Sequence, residues 1–478
     1  STTTMMPSRF VVKLSSTLRN STTTRTFTTT IPQKVDTLII GGGPVGGSTA
    51  YHLAKKRVAH GEQGATLESI LVVERDPTCN SGSAVYSAGG IRLQFSLKEN
   101  VEMSLYGIDF LRRASTNLTT ATTTTALNHD RSVVDDDDDD DKVDIQYVEN
   151  GYLFLASSNE SAQQLRQNHE LYKQLGCGDM VELVQPDELV SRFPWINAND
   201  VTLASHGVSG EGWFDPWTFI NAMNGKNKER GVRYLNGSVV GASRDETGNV
   251  TSVDIRSSPS STSQFHTIHV GRVVNAAGAA ADVVLDTLAG NDRPLEYKIP
   301  VRPRKRSIYF FHCNADQVEQ QVPSVAPLTI DSSGAYFRSE GIVPGTGNFI
   351  CGISPPNDED YDYDEENGML RNADPNLFDE RIWPALYNRV PAFGSIKVKS
   401  SWAGLYEYNT VDQNCILDFH PEMPNVLMVN GFSGHGLQHS PAAGRAASEL
   451  IDDANKFQSL DLDIFRFDRI LQNRPVFE

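Results

Sequence analysis

Cysteine is scarce in this chain: five in 478 residues, and no two of them stand as Cys-x-x-Cys. Cys79, Cys177, Cys313, Cys351 and Cys415 are scattered and odd in number, which argues against a disulfide framework or a cysteine zinc site and for a reducing compartment. Long apolar runs are missing as well. None approaches the roughly 20 residues that a membrane-spanning helix needs. Basic residues are in deficit, 42 Lys and Arg against 60 Asp and Glu, so there is no nucleic-acid footprint. The net charge of −18 is mostly local. Asp135–Asp141 is an unbroken run, and Asp358, Glu359, Asp360, Asp362, Asp364, Glu365 and Glu366 crowd a second. Both read as solvated loops on a mildly acidic body. Acids are absent from the first 35 residues, which carry Arg9, Lys13, Arg19, Arg25 and Lys34 among many Ser and Thr. That composition is expected of a mitochondrial transit peptide, and residues 1–33 are set outside the fold.

What is present begins with a glycine turn. The apolar run Thr37-Leu38-Ile39-Ile40 ends in Gly41-x-Gly43-Pro44-Val45-Gly46, and a helix is expected over Ser48–Lys56. This is the strand–turn–helix of a Rossmann-like dinucleotide-binding unit. Gly41 permits the tight turn, Gly43 admits a pyrophosphate to the backbone, and Gly46 lets helix and strand pack closely. Ser69–Glu74 reads as the second strand, ending in an acid placed for ribose hydroxyls. Glu74 comes later than the usual spacing because Arg57–Glu68 reads as a lengthened loop.

A second glycine turn lies far downstream. Asn425–Asn430 reads as a buried strand running into Gly431-Phe432-Ser433-Gly434-His435-Gly436-Leu437-Gln438, followed by a small-residue helix over Pro441–Leu450. A helix N-terminus there suits the N1–O2 edge of a flavin, where reduction places negative charge. Arg272–Asn275, ending in Ala276-Ala277-Gly278, reads as a third strand passing close beneath the cofactor. Turns this far apart favour FAD over NAD.

The fold class expected is α/β (α+β overall): an FAD-binding domain of discontinuous segments plus a second domain with a mixed or antiparallel sheet. Residues 34–105, 206–290 and 400–478 are assigned to the first, and 106–205 and 291–399 to the second, a substrate or cap domain. Residues 114–143 read as a low-complexity insertion and 357–367 as an acidic loop. Strands are expected over Ser307–Phe311 and Phe349–Ile353. Helices are expected over Ser158–Gly176 and from Asp215-Pro216-Trp217. Trp213 and Trp217 read as core.

Several long strings are similar to those of the D-amino-acid oxidase/sarcosine oxidase flavoproteins. They include Phe193-Pro194-Trp195-Ile196-Asn197, Glu211–Trp217, Arg302–Arg306, Asp331–Arg338, Ser401–Gly404, Tyr408–Thr410, Asp412–Asn414 and Gly431–Gln438. The resemblance spans residues 35–470. It implies the diphosphate at Gly41, Gly43, Pro44, Val45 and Gly46, the adenosine ribose at Glu74 and Arg75, and adenine against Val239. It further implies that Ser87, Ala88, Gly89 and Gly90, Ala277 and Gly278, Gly404, and Gly431, Phe432, Ser433, Gly434, His435, Gly436 and Leu437 border the cofactor. Ala280 departs from the Trp often found there. Leu405 and Tyr86 replace the Cys and His that bind flavin covalently in some relatives, so non-covalent FAD is implied. Ile350 stands where an oxygen-activating Lys is found, and Gln438 where a Lys grips the substrate carboxylate.

His435, Tyr336, Arg338 and Gln438 are the catalytic candidates on this comparison. His435 also reads as a residue fixing the backbone of its turn. Within the family the chain is most similar to members tied to assembly of respiratory complex I. The implied function is assembly or stability of that complex in the mitochondrion, in the matrix or at the matrix face of the inner membrane. Complex I subunits or assembly intermediates are then the partners. The alternative is a matrix flavin dehydrogenase or oxidase taking a small amine, a secondary amine or an N-methyl amino acid.

Overall fold

In the computed structural model the described residues are 31–59, 69–120, 142–257, 264–290, 293–313, 322–341, 347–356, 359–363, 372–452 and 455–477. Most of the expected leader and all of Asp135–Asp141 lie outside them. The expected insertion starts later than residue 114, because Ala114–Leu118 is helical with Ala114 and Leu118 buried.

The first seven-stranded sheet has a parallel centre. Lys34–Ile40 pairs in parallel with Ile70–Glu74 on one side and with the end of Phe265–Asn275 on the other. Outside these lie the start of Arg233–Arg244 and Met423–Asn430, again in parallel. The far halves of Arg233–Arg244 and Phe265–Asn275 run on beyond this core and sandwich Val250–Ser257 in an antiparallel meander. Ile416–His420 closes the edge in the antiparallel sense.

Central parallel strands are covered on both faces and so are apolar almost throughout. Ile39, Val72, Val274 and Leu427 point to one side, where the helices Pro44–Ala59 and Gly436–Asp452 cover them. Leu38, Ile40, Leu71, Val73, Val273 and Met428 point to the other, beneath Ala281–Ala289 and the meander. The two covering helices approach so closely that a Cβ on Gly444 would stand 2.6 Å from the Cβ of Ser48.

The second sheet has eight strands: Ile396–Asn409, Val301–Cys313, Asn348–Ile353, Ala335–Ser339, Leu328–Ile330, Tyr152–Ala156, Leu203–Gly207 and Val181–Val184. Its pairings are antiparallel except between Leu328–Ile330 and Tyr152–Ala156. The domain boundaries placed at 206 and 400 both fall inside strands of this sheet. Leu153, Leu155, Phe337, Phe349 and Cys351 face one core with Phe311 and Phe393. Strand alternation turns Tyr152, Phe154, Tyr336, Arg338, Ile350 and Gly352 to the opposite face.

Local signals set the helix ends. Asp215 caps Pro216–Glu229 by accepting the Thr218 N–H at 2.6 Å, and Ser158 opens Asn159–Gln174 with a reciprocal capping box. Trp217 is 39% exposed rather than core, because the helix turns it outward, where its indole N–H reaches the Thr78 carbonyl. Among the described residues, no helix is long and apolar enough to cross a membrane.

Candidate functional site: a flavin crevice backed by an arginine

Gly41, Glu74, Ala276 and Gly431 all follow or end parallel strands at their carboxyl ends. In open α/β sheets this is the edge where ligands bind. The three glycines of the first turn do different jobs. Gly41 has φ +104°, and a Cβ there would come within 2.8 Å of the Ala276 carbonyl carbon. A Cβ on Gly46 would collide with the Gly41 carbonyl, so the helix sits directly on the turn. A Cβ on Gly43 would meet nothing within 4 Å. The middle glycine therefore faces open space in front of a helix N-terminus that carries no acid in its first turn. That cradle suits a pyrophosphate.

The remaining cofactor candidates line the same edge. Glu74 accepts the Gly42 N–H at 2.7 Å and the Asp76 N–H at 2.8 Å, which holds its carboxylate beside the turn. Arg75 is exposed, and Val239 is half-buried on the strand Arg233–Arg244. Ser87 Oγ accepts the Gly89 N–H at 3.2 Å and donates to the Ala84 carbonyl, shaping Ser87–Gly90. Ala277 and Gly278 are half-buried, Gly278 at φ +58°. Gly404 packs on Tyr86, whose hydroxyl donates to the Asn80 carbonyl at 2.7 Å. In the second turn Gly431, Ser433 and Gly434 all have positive φ, Phe432 and Leu437 are buried, and Gly436 opens the long C-terminal helix. Gly434 is exposed toward the crevice, with the Tyr406 ring beside it. These residues fit an extended dinucleotide with its ring at the second turn.

Deeper in, the centre of the site is Arg92, which sequence reasoning missed. It follows the short strand Gly90–Ile91, paired with Gly212–Trp213. Its guanidinium carbon lies 3.8 Å from the Phe95 ring centre and 5.4 Å from that of Phe154. Nη2 is 3.1 Å from His435 Nε2, and Nη1 donates to the Gln94 carbonyl. Burial and the nearby Arg92 charge hold His435 well below the usual histidine range, so it is neutral and accepts through Nε2. Among the described residues no salt bridge joins Arg92 to a carboxylate.

The backbone around Arg92 is clamped. Gln438 Oε1 accepts the Arg92 N–H at 2.9 Å. The fully buried Glu211 accepts the N–H groups of Leu93 (2.6 Å) and Gln94 (3.1 Å) and the Gln94 side-chain amide (2.8 Å). Burial pushes the Glu211 carboxyl up to about 7 despite these donors. A second acid, the half-buried Glu407, lies under the second glycine turn: its Oε2 accepts the Gly431 N–H at 3.1 Å, and desolvation pushes its carboxyl up to about 8.

The four catalytic candidates separate on this geometry. His435 contacts Arg92 with its ring, rather than fixing the turn with it. Gln438 is committed to the Arg92 backbone and leans on Ser104 and His439. Arg338 stacks 4.3 Å from the Trp213 ring centre and donates to the carbonyls of Ala88 (2.6 Å) and Ser339 and to Glu340, so it holds the Ser87–Gly90 segment. Tyr336 shares a face with Arg338, and its hydroxyl lies against Gly352. Burial raises its pKa well above the ordinary phenol value, as do the neighbouring Tyr406, Cys351 and Tyr152. Tyr152 and Tyr406, also missed, complete this aromatic wall. The signal available was position: Arg92 lies two residues beyond the expected flavin-bordering Gly90.

The acidic loop is not wholly solvated. Asp360 is buried and forks onto Arg306 at 2.7 and 2.6 Å, with Arg304 at 3.1 Å. Arg306 in turn covers the Tyr406 ring at 4.8 Å.

A parallel sheet with a glycine cradle, an acid at the second strand end and a second glycine turn beneath a mixed sheet define a flavin-dependent oxidoreductase. The chain belongs to the FAD dependent oxidoreductase family, which it matches over residues 36–450. It is 41% identical over 464 residues to the FAD-dependent oxidoreductase domain-containing protein 1 of Xenopus laevis, covering 94% of this chain and 85% of that one. The Bos taurus protein of the same description is 39% identical over 453 residues, 92% of this chain and 85% of that one. Among solved structures, the L-proline dehydrogenase from P. horikoshii superposes with a TM-score of 0.72 at 23% identity, covering 93% of this chain and 100% of that one. FAD is the cofactor, held without a covalent bond.

Proposed function

We propose that the protein is an FAD-dependent dehydrogenase of a small amine that carries a carboxylate, a secondary amine or N-methyl amino acid. When bound, FAD supplies the two-electron acceptor for the C–H bond beside the amine nitrogen. The observation that carries this reading is Arg92, a cation resting on aromatic faces and in salt-bridge contact with no carboxylate among the described residues, although the buried Glu211, held by the Leu93 and Gln94 N–H groups, feels its charge. A substrate carboxylate is the complementary charge. His435 fixes the direction of the guanidinium, Gln438 and Glu211 fix its backbone, and the Tyr152–Tyr336–Tyr406 wall excludes water. Ile350 offers no charge to stabilise superoxide, which favours an acceptor other than O₂. The test is anaerobic flavin reduction by N-methyl amino acids in wild type and Arg92→Leu. Equal reduction in both would refute the role of Arg92.

A second reading rests on the resemblance along the whole folded length. In it, FAD holds a shape that complex I subunits or assembly intermediates recognise in the mitochondrial matrix. Arg92→Leu that retains flavin and restores complex I in null cells would support this reading. Failure to restore it would tie assembly to catalysis.

A further inference from the structure

We propose that Glu407 couples proton uptake to reduction of the flavin, acting as a positioning residue that sets its potential. The proposal rests on the flavin lying against the turn Gly431–Leu437. Glu407 belongs to the strand Ile396–Asn409 and is tied to that turn twice: its carbonyl accepts the Ser433 N–H at 3.1 Å and its Oε2 the Gly431 N–H at 3.1 Å. Its Oε1 would be 2.9 Å from a Cβ placed on Gly436, the first residue of the C-terminal helix. The carboxyl thus lies beneath the helix N-terminus, and a flavin bound against this turn would bring the charge of its reduced form near it.

The groups around Glu407 leave its charge unbalanced. On the paired strand Lys305 shares the face of Glu407 and forms no salt bridge with it among the described residues, while Arg302 and Arg304, on the other face, are committed to Asp282 and to Asp360 and Asp362. Arg469 pairs with Asp412, and the thiol of Cys415 stays protonated. Tyr406 and Tyr408, on its own strand, have raised pKa values. His435, on the turn, is neutral. Among the described residues, no salt bridge involves Glu407 and one backbone N–H donates to it. One donor does not offset desolvation of a carboxylate, and burial lifts its pKa to about 8. Negative charge on the neighbouring ring lifts it further. Above the first pKa and below the second, the carboxylate takes one proton from solvent as two electrons arrive, and no substrate bond is involved.

The test compares wild type and Glu407→Gln holoprotein by spectroelectrochemical titration. Glutamine keeps an oxygen for the Gly431 N–H but does not titrate. Above pH 8 the wild-type midpoint potential should fall with pH more steeply than that of the variant, by half a proton per electron. Near neutral pH the two slopes should match. Parallel slopes throughout would overturn the proposal. Infrared difference spectra of wild type alone give a second decision, independent of how the variant folds. Reduction near pH 9 should create a protonated-carboxyl carbonyl band, and no such band would also overturn it. A wild-type protein without flavin would defeat the flavin-site reading itself, whereas bound flavin with parallel slopes defeats this proposal alone.

Discussion

Replacing Gly43 by alanine should separate cofactor binding from folding, and replacing Gly46 should not. A Cβ at Gly43 meets no atom within 4 Å, and its φ is not positive, so the new methyl enters only the space in front of the first helix. A Cβ at Gly46 stands 3.1 Å from the Gly41 carbonyl carbon, nearer still to its oxygen, and 3.2 Å from Ile39 Cγ2. Gly41 cannot rotate away easily, because it already sits at φ +104° against Ala276. The Gly43→Ala apoprotein should therefore match wild-type stability within about 0.5 kcal/mol. Its FAD affinity should drop by about 1–3 kcal/mol, the cost of one methyl forced into a close contact. That is a rise of roughly 5- to 150-fold in Kd. Gly46→Ala should lose about 1–3 kcal/mol of apoprotein stability before any cofactor is added. Urea unfolding of the apoproteins and fluorescence titration with FAD measure both quantities. Wild-type FAD affinity in Gly43→Ala, or wild-type stability in Gly46→Ala, would refute the assigned roles of the turn.

Three further outcomes are expected. Glu211→Ala orphans the buried donors of Leu93 and Gln94 and should cost on the order of 3 kcal/mol, read by urea denaturation; a loss below 1 kcal/mol would contradict the clamp. Gly444→Ala forces apart the two helices covering the parallel sheet, lowering stability by about 1–3 kcal/mol, and an unchanged Tm would show that the crossing relaxes freely. The third concerns pH. Glu211 and Glu407 keep protons in the native state up to about 7 and about 8 that the unfolded chain releases near ordinary carboxyl values. The native state binds more protons in that window, so each group makes stability fall as pH rises through it, by at most about 1.4 kcal/mol per pH unit, and the loss is complete above the folded pKa. Apoprotein carrying Glu407→Gln should fall less steeply between pH 5 and 8 than wild type, and an equal or steeper fall would contradict the burial of this carboxyl as an acid.

The first turn was legible in the sequence because its signal is local. Gly41–Gly46, the strand before it and the acid of the second strand lie within one βαβ unit, and each residue type has a steric reason. The alternation that puts Tyr336 and Arg338 on one face was also legible. What the alternation does not carry is the partner: Arg338 is consumed by Ala88, 250 residues away. Arg92 meets His435 across 343 residues, and Glu211 meets Leu93 across 118. Nothing near Arg92 in sequence marks it as lacking an acid. Asp360 shows the same limit in reverse. A dense acidic run reads as solvated until Arg304 and Arg306 of a distant strand are found beside it. Trp217 fails for a local reason: Trp213 lies in a strand and Trp217 in the first turn of the next helix, so burial of one says nothing of the other.

The central claim is that Arg92 presents a carboxylate-bearing amine to FAD. The most direct measurement is the visible flavin spectrum of the purified holoprotein, anaerobic, before and after addition of a panel of N-methyl and free amino acids. The account predicts bleaching by at least one member in wild type, no bleaching by the matching amine without its carboxylate, and loss of the response in Arg92→Leu with flavin retained. A flavin that chemical reductant bleaches but no member of the panel does, or that the carboxylate-free amine bleaches equally well, would contradict it.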